Sequence, residues 1–417
     1  MFGDNNLTAA FEQWSSRPAD ERFWSLEDMQ AATAIRRHES SEIEVPFDAI
    51  RVEAGADNKL ELIHRMDRAI PTNFAFGQIA STAGAPGSYL RKLPVDLAAQ
   101  CINHGLKKRL SDSEQRPRTL LIQQNGGPAQ IRSLTSNVYG RVWDTDLISD
   151  WLIPLRDDQG WRTPPARPAG HDPRARPATA EDLLTRSDDI GSGFGYDGLS
   201  VNLGDMIAPA GLYASDRDMF AFMIHENRVQ APSGKSLQRG FFLTQSEVGA
   251  RSIRLSRYFF NQVCGNHIVW DAEGVQEVRV RHIGEGVERK AFKQAQKVLN
   301  LWADSQVSTQ ERVIAAAFDT HVVTDASARQ DLIGATDEVV RDAVVGAAYG
   351  HLRQGIGREV LRNSYQAALD HPEDGHKGAD TIWGMVQGMT RYSQEKANQD
   401  ARESIDRAAG KLLQVAA

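Results

Sequence analysis

The stretch from Leu237 to Trp270, LQRGFFLTQSEVGARSIRLSRYFFNQVCGNHIVW, constrains the fold more than any other, because it is the densest run of strand-forming residues in the chain. Side chains on a strand alternate between faces, so Phe241, Leu243 and Gln245 share one face and Phe242, Thr244 and Ser246 the other. The Ser246-Glu247-Val248-Gly249 corner reverses the chain, and Gly249 supplies backbone freedom that a Cβ would remove. After it, Arg251, Ile253, Leu255 and Arg257 interleave with Ser252, Arg254, Ser256 and Tyr258, before Phe259, Phe260, Val263 and Cys264 return to an apolar interior. The run reads as a strand, a turn, a second strand and a third, forming a core sheet with a polar, arginine-bearing side.

The segment FFLTQSEVGARSIRLSRYFFNQVCGN also resembles the diagnostic core of the phage/plasmid-like proteins grouped as domain of unknown function 932. There a strand leads into an Asn/Gln-Ser-Glu-Val-Gly corner and the segment ends at a Cys-x-Asn turn. Gln245, Ser246, Glu247, Val248, Gly249, Cys264 and Asn266 carry the match, with Gln245 where Asn is commoner. Tyr89-Leu90 with Pro94, Ser136-Asn137-Val138-Tyr139-Gly140, and Thr381-Ile382-Trp383 with Thr390 extend it over most of the chain. The resemblance implies a protein of a phage, plasmid or similar mobile element. It implies no reaction, because the family is named for its unknown function.

The chain of 417 residues is long enough for one large or two ordinary domains, with 41% hydrophobic and 25% charged residues, as in globular proteins. A net charge of −7 argues against a coat of positive charge but leaves room for a local basic stripe. Cys101 and Cys264 are far apart and form no CxxC knuckle, which fits a reducing cytoplasm. The start MFGDNNLTAAFEQW has no basic-then-apolar pattern and no run of 18 apolar residues occurs, so neither secretion nor membrane spanning is expected.

Apolar spacing predicts short helices over Leu7–Trp14 and from Leu26 onward, then alternating strands over 42–53 and 59–64 that read as a hairpin. Asn73 to Arg91 superficially resembles a helix-turn-helix, but Pro94 cuts its second helix short, and an ordinary helical hairpin is the better reading. Val95 to Leu106 is a buried helix with Lys107-Lys108-Arg109 at its end. The Asn125-Gly126 turn marks a second hairpin, on which Tyr139 to Leu152 would pack as a helix. Prolines 164, 165, 168, 173 and 177 crowd with arginines 162, 167, 174 and 176, predicting an extended, mobile insertion without regular helix or sheet. Strands follow at Leu199–Leu203, Met219–His225 and Glu277–His282, and the chain is helical after Val287. The expected segments are 1–155, the insertion 156–190, the core sheet 191–286 and the helical region 287–417. The fold class is α+β, a mainly antiparallel sheet covered by helices, with a proline-rich insertion and a helical C-terminal region.

Familiar motifs mostly reduce to structure. Pro232-Ser233-Gly234-Lys235-Ser236 lacks the first glycine of a phosphate-binding loop, Val229 standing there, and Gly193, Gly195 and Gly198 have neither a clear strand before nor a helix after them. His371, Asp374 and His376 sit in a Pro- and Gly-bearing loop, so no metal and no cofactor is expected. Arg251, Arg254, Arg257, Arg279 and Arg281, with Tyr258 to stack a base, are the candidate contacts to single-stranded DNA. An enzyme acting on nucleic acid through His225, Glu247 and His282, with Cys264 as a thiol, is the second reading. A structural or assembly protein is the third. The expected partner is single-stranded nucleic acid, with no membrane, and homo-oligomer formation stays open.

Overall fold

The structure is a computed structural model, and it describes residues 21–55, 58–64, 67–111, 116–163, 167–168, 174–180, 202–209, 211–230, 236–261, 266–269, 278–304, 313, 316–353, 356–370, 378–394 and 399–416. The expected helix at Leu7–Trp14, the three spaced glycines after Ile190, the loop at His371–His376 and Cys264 lie outside these residues.

Helix α1 (Leu26–His38) is capped by Ser25, whose hydroxyl accepts from the Asp28 amide. Strand β1 (Ser40–Val45) ends at Pro46, and β2 (Arg51–Ala54), β3 (Leu60–His64) and β4 (Asp67–Pro71) follow. The alternating run over 42–53 therefore splits. Only β2 and β3 form the expected hairpin, while β1 pairs with β5 (Arg118–Gln123). Proline lacks the N–H that a ladder needs, which places the break at Pro46. Before β5 come α2 (Asn73–Thr82), α3 (Gly87–Leu90) and α4 (Val95–Ser111). Helix α3 is a single turn, too short to read a groove.

Strands β5 and β6 (Gln130–Ser136) are antiparallel across a turn in which Gly126 takes a φ of +81°. They complete a six-stranded sheet, in the order β1-β5-β6-β4-β3-β2. Its apolar face, with Val52, Leu62, Leu120 and Ile131, packs on Ile79 of α2 and Ile102 of α4. The pairing of β5 with β6 slips at one point. Leu121 faces Ser133 while Ile122 faces Ile131, which leaves Arg132 as the extra residue of a bulge.

Residues 139–143 are not helical, and the helix expected from Tyr139 begins at Asp144. It runs through α5 (Asp144–Leu147), a π-helical stretch (Ile148–Leu152) and α6 (Ile153–Asp158). Its residues Leu147, Ile148, Trp151 and Leu152 join the core of the second sheet, not that of the β5–β6 hairpin. The proline-rich segment is also more ordered than expected in its described parts. Strand β7 (Trp161–Arg162) puts the 1% exposed Trp161 into that second core, and β8 (Arg167–Pro168) and β9 (Arg176–Pro177) flank β10 (Met206–Ala208). Pro168 and Pro177 both lie on edge strands of this three-stranded sheet, the position where a missing N–H costs least.

The second main sheet has seven strands. Its path is β11 (Leu212–Ala214), β12 (Met219–Gln230), β13 (Ser236–Gln245), β14 (Ile253–Asn261) and β15 (Asn266–Val269), with β16 (Val278–Val280) on β14 and β7 on β12. All of its pairs are antiparallel. The expected polar side is not a solvent face. Phe241, Phe242, Leu243, Thr244 and Gln245 are all buried, so both faces of β13 are covered. Leu203, expected on a strand, sits in a turn and is exposed.

The helical region comprises α7 (Val287–Asp304), α8 (Ala326–Gln330), α9 (Asp337–His351), α10 (Arg358–Asp370), α11 (Ile382–Gln394) and α12 (Gln399–Leu413). Val287, Ala291, Ala295 and Leu299 recur at helical spacing and bury one face of α7 with Val278 and Val280. Ile405, Ala409 and Leu412 of α12 belong to the same core, which also takes in Phe23 and Leu26. On the sheet, Arg407 Nη2 donates to Ser256 Oγ at 2.9 Å.

Candidate functional site

The corner after β13 is where the two large sheets meet. Glu247 is 2% exposed and both its oxygens are taken: Oε2 accepts from Arg132 Nη2 at 2.6 Å and Oε1 from the Asp144 amide at 2.9 Å. Arg132 is itself 1% exposed, and its position as the bulge residue of β6 turns the guanidinium out of its own sheet's core toward the corner. Arg141 donates to the Glu247 carbonyl and pairs through Nε with Glu42 at 3.1 Å. Ser246 Oγ accepts from the Val248 and Ala250 amides and donates to the Arg217 carbonyl at 2.6 Å, a turn built by one hydroxyl. Gln78 of α2 spans the same joint, donating to Val248 O at 2.8 Å and accepting from the Leu134 amide at 2.9 Å.

Charge in this joint is unevenly compensated. Burial first, then the neighbouring Glu247, raises the Asp144 carboxyl well above its ordinary range, while Gln245 Nε2 donates to Asp144 Oδ1. Asp144 thus favours its protonated form beside Glu247. Tyr139 donates its hydroxyl to Ser246 O at 2.8 Å, and burial pushes its phenol upward. Its ring stacks on His282 with centroids 4.9 Å apart. His282 Nδ1 lies 3.0 Å from Gly140 O, and burial lowers its basicity, so the neutral ring donates from Nδ1 and leaves the buried Nε2 without a partner among the described residues.

Of the three residues in the enzymatic reading, Glu247 and His282 converge on the 139–144 segment and His225 does not. His225 lies six positions along β12 from Met219, which pairs with Gln245, or about 20 Å at strand rise. Its ring meets the edge of Trp161 instead. Glu247 has no free oxygen with which to act as a base, and the corner holds the sheets together.

The arginines separate by strand parity. Arg251 and Arg257 share the face of Ile253 and Leu255, which points into the core. Arg251 pairs with Asp218 at 3.1 Å and lies over Phe220, and Arg257 is buried. Arg254 and Arg279 stand directly opposite each other on the other face. Arg279 is exposed and donates to Ser252 Oγ at 3.1 Å, and Arg281 is exposed beyond the end of β16. Tyr258 and Asn266 have their backbones in β14 and β15, and their side chains lie outside the described residues.

The basic residues that sequence reading passed over are on α7. Arg289, Lys293 and Lys297 recur four apart on its outer face with Lys290 beside them, all exposed. The apolar positions of this helix point to packing, and the same spacing in its cations was the available signal.

Gly249 takes a φ of +87°, with nothing nearer than 3.5 Å to the place a Cβ would occupy. Space is available but the backbone conformation disfavours a side chain. Gly249→Ala is expected to lower stability by about 1 kcal/mol, read as a shift in denaturation midpoint with unchanged slope. An unchanged midpoint would show that the turn relaxes freely.

Among the described residues no helix is long and apolar enough to cross a membrane, and no group of three or more His, Cys, Asp or Glu is placed to hold a metal ion. No curated protein and no solved structure matches the chain. Residues 196–414 do match a protein family, one described as a domain of unknown function (DUF932). That span takes in the corner, the seven-stranded sheet except β7, and helices α7 to α12, more than half of the sequence, and the chain belongs to this family.

Proposed function

We propose that the protein binds single-stranded nucleic acid through the basic surface from Arg279 to Lys297, acting in the cytoplasm in replication, recombination or maintenance of a phage- or plasmid-like element. The observation that carries this reading is a contrast in charge pairing. Arg279, Arg281, Arg289, Lys290, Lys293 and Lys297 are all exposed, and among the described residues none forms an ion pair. Several exposed arginines elsewhere are neutralised: Arg68 by Glu53 and Glu61, Arg51 by Glu53 and Arg162 by Glu226. On a chain of net charge −7, a run of six cations without carboxylate partners is a local field suited to phosphates. Arg257 is withdrawn from this surface by its burial and Arg251 by its pairing with Asp218, and Arg254 stands beside Arg279 at its margin.

Binding to a labelled single strand, followed across salt, tests the reading. Each of Arg281→Gln, Lys293→Gln and Lys297→Gln is expected to weaken binding alike on unrelated sequences and to flatten the salt slope by about 0.7 for every phosphate that is no longer neutralised. Tyr258→Ala is expected to lower affinity by about 1–3 kcal/mol with little change of slope, because stacking releases no counterion. Absence of salt-dependent binding by the unaltered protein would sink the proposal in favour of an assembly role.

A further inference from the structure

A cleft of about 570 Å³ opens between α2, the residues after α3 and the turn from β11 to β12. That volume lies in the range of small-molecule sites. Two guanidiniums reach it from distant parts of the chain, Arg91 and Arg217. Arg91 is fixed by Asn73: Nε and Nη2 donate to Oδ1 at 3.0 and 2.7 Å, and Nη2 to the carbonyl at 2.6 Å. Its Cζ lies 4.5 Å from the centre of the Phe76 ring. The Arg217 guanidinium lies 5.8 Å from the Phe74 ring, and its Nε is buried without a hydrogen-bond partner among the described residues. Neither arginine forms an ion pair among those residues, although burial works against the Arg91 charge.

The rest of the wall is compatible with a ligand. Gly77 leaves it bare at its middle, where a Cβ would meet only Arg91 Nη2 at 3.9 Å. Ser81 and Thr82 line the cleft beside it. Gln78, pinned at both ends of its amide, holds the floor to the corner. Two guanidiniums face one carboxylate, Asp216, so the lining favours an anion.

We propose that this cleft binds a phosphate monoester of nucleotide size, held by the fork of Arg217 and by Nη1 of Arg91, the nitrogen that Asn73 leaves unused. The Arg217 guanidinium can match phosphate oxygens in a pair, and an Arg91 side chain already fixed by Asn73 loses little freedom when its Nη1 binds. The site is separate from the Arg279–Lys297 surface and stands whether or not that surface binds a strand. The monoester has two sources, a free nucleotide or the phosphorylated end of a strand.

Calorimetric titration of the full chain at fixed ionic strength with adenosine 5′-monophosphate, and with adenosine alone, tests the proposal. The nucleotide is expected to bind saturably and adenosine not to. Arg217→Gln should weaken nucleotide binding about tenfold or more, the loss expected when hydrogen bonds to a charged group are removed. Gly77→Leu should do the same by filling the cleft, and both variants should keep the melting temperature of the ligand-free protein within a few degrees or raise it. A 5′-phosphorylated oligonucleotide that displaces the nucleotide, where its 5′-hydroxyl counterpart does not, assigns the site to strand ends, and failure to displace assigns it to free nucleotide. Equal binding of adenosine and its monophosphate, or wild-type affinity in both variants, overturns the proposal.

Discussion

Arg132→Met is expected to lower the unfolding free energy by about 3–5 kcal/mol, the cost of leaving a buried carboxylate without its cation. With Asp144 pushed toward its protonated form, Glu247 is the buried carboxylate of this dry joint, and the Arg132 guanidinium, 2.6 Å from its Oε2, is its ion-pair partner. Removing it leaves Glu247 to take up a proton or the joint to open. The doubly altered Arg132→Met, Glu247→Leu protein should recover part of the stability, because a hydrophobic replacement of a buried pair is often neutral or stabilising. Recovery will be incomplete, since the Asp144 amide is then deprived of its acceptor, Glu247 Oε1. Chemical denaturation of the single and double variants measures the coupling directly. A destabilisation below about 1 kcal/mol in the single variant would mean that water reaches the joint and screens it.

The second large effect is expected from Gly388→Ala. Alanine is favoured over glycine inside a helix by about 1 kcal/mol, so helix propensity alone predicts stabilisation. Packing reverses the sign. A Cβ on Gly388 would stand 2.1 Å from the Ser364 carbonyl oxygen and 2.8 Å from Ala368 Cβ, where α11 crosses α10. Backbone cannot yield as a long side chain would, and overpacking of a close crossing costs about 1–3 kcal/mol or more. A net destabilisation of about 2 kcal/mol is expected from these opposing effects. Gly346→Ala, on the exposed side of α9 with nothing within 4 Å, should instead gain up to about 1 kcal/mol. If thermal melting moves both variants in the same direction, the close crossing is not what sets the glycine at 388.

The central hairpin was legible because its signal is local. Alternation over Phe241–Gln245, a glycine at the reversal and β-branched and aromatic residues beyond it place β13, β14 and the corner by themselves. What covers the hairpin was not legible. Arg251 and Arg257 alternate like solvent-facing residues, but their surroundings, Asp218 and the helical layer, are fixed by tertiary placement. The Arg132–Glu247 contact was hidden for a sharper reason. It depends on a bulge, one residue of slip in the pairing of β6, and two-residue periodicity carries no record of slip. Trp161 shows the opposite error: the proline density around it suggests absence of structure, while a single tryptophan before the prolines anchors the segment into the core.

The shared core of α1 and α12 has a bearing on vectorial synthesis. The six-stranded sheet closes its own apolar cluster within residues 45–134 and can complete it soon after leaving the ribosome. The seven-stranded sheet has no such freedom, because the cluster that holds Leu26 also needs Leu413, and Ser256 of its central strand meets its arginine only at position 407. Between residue 134 and residue 413 lie 279 further additions, roughly 14–56 s at 5–20 residues per second. For the later part of that interval, once Phe242 has been added, the phenylalanines of β12 and β13 wait without the last helix, and a nascent chain of this design gains from any partner that shields them until the C-terminal helix arrives.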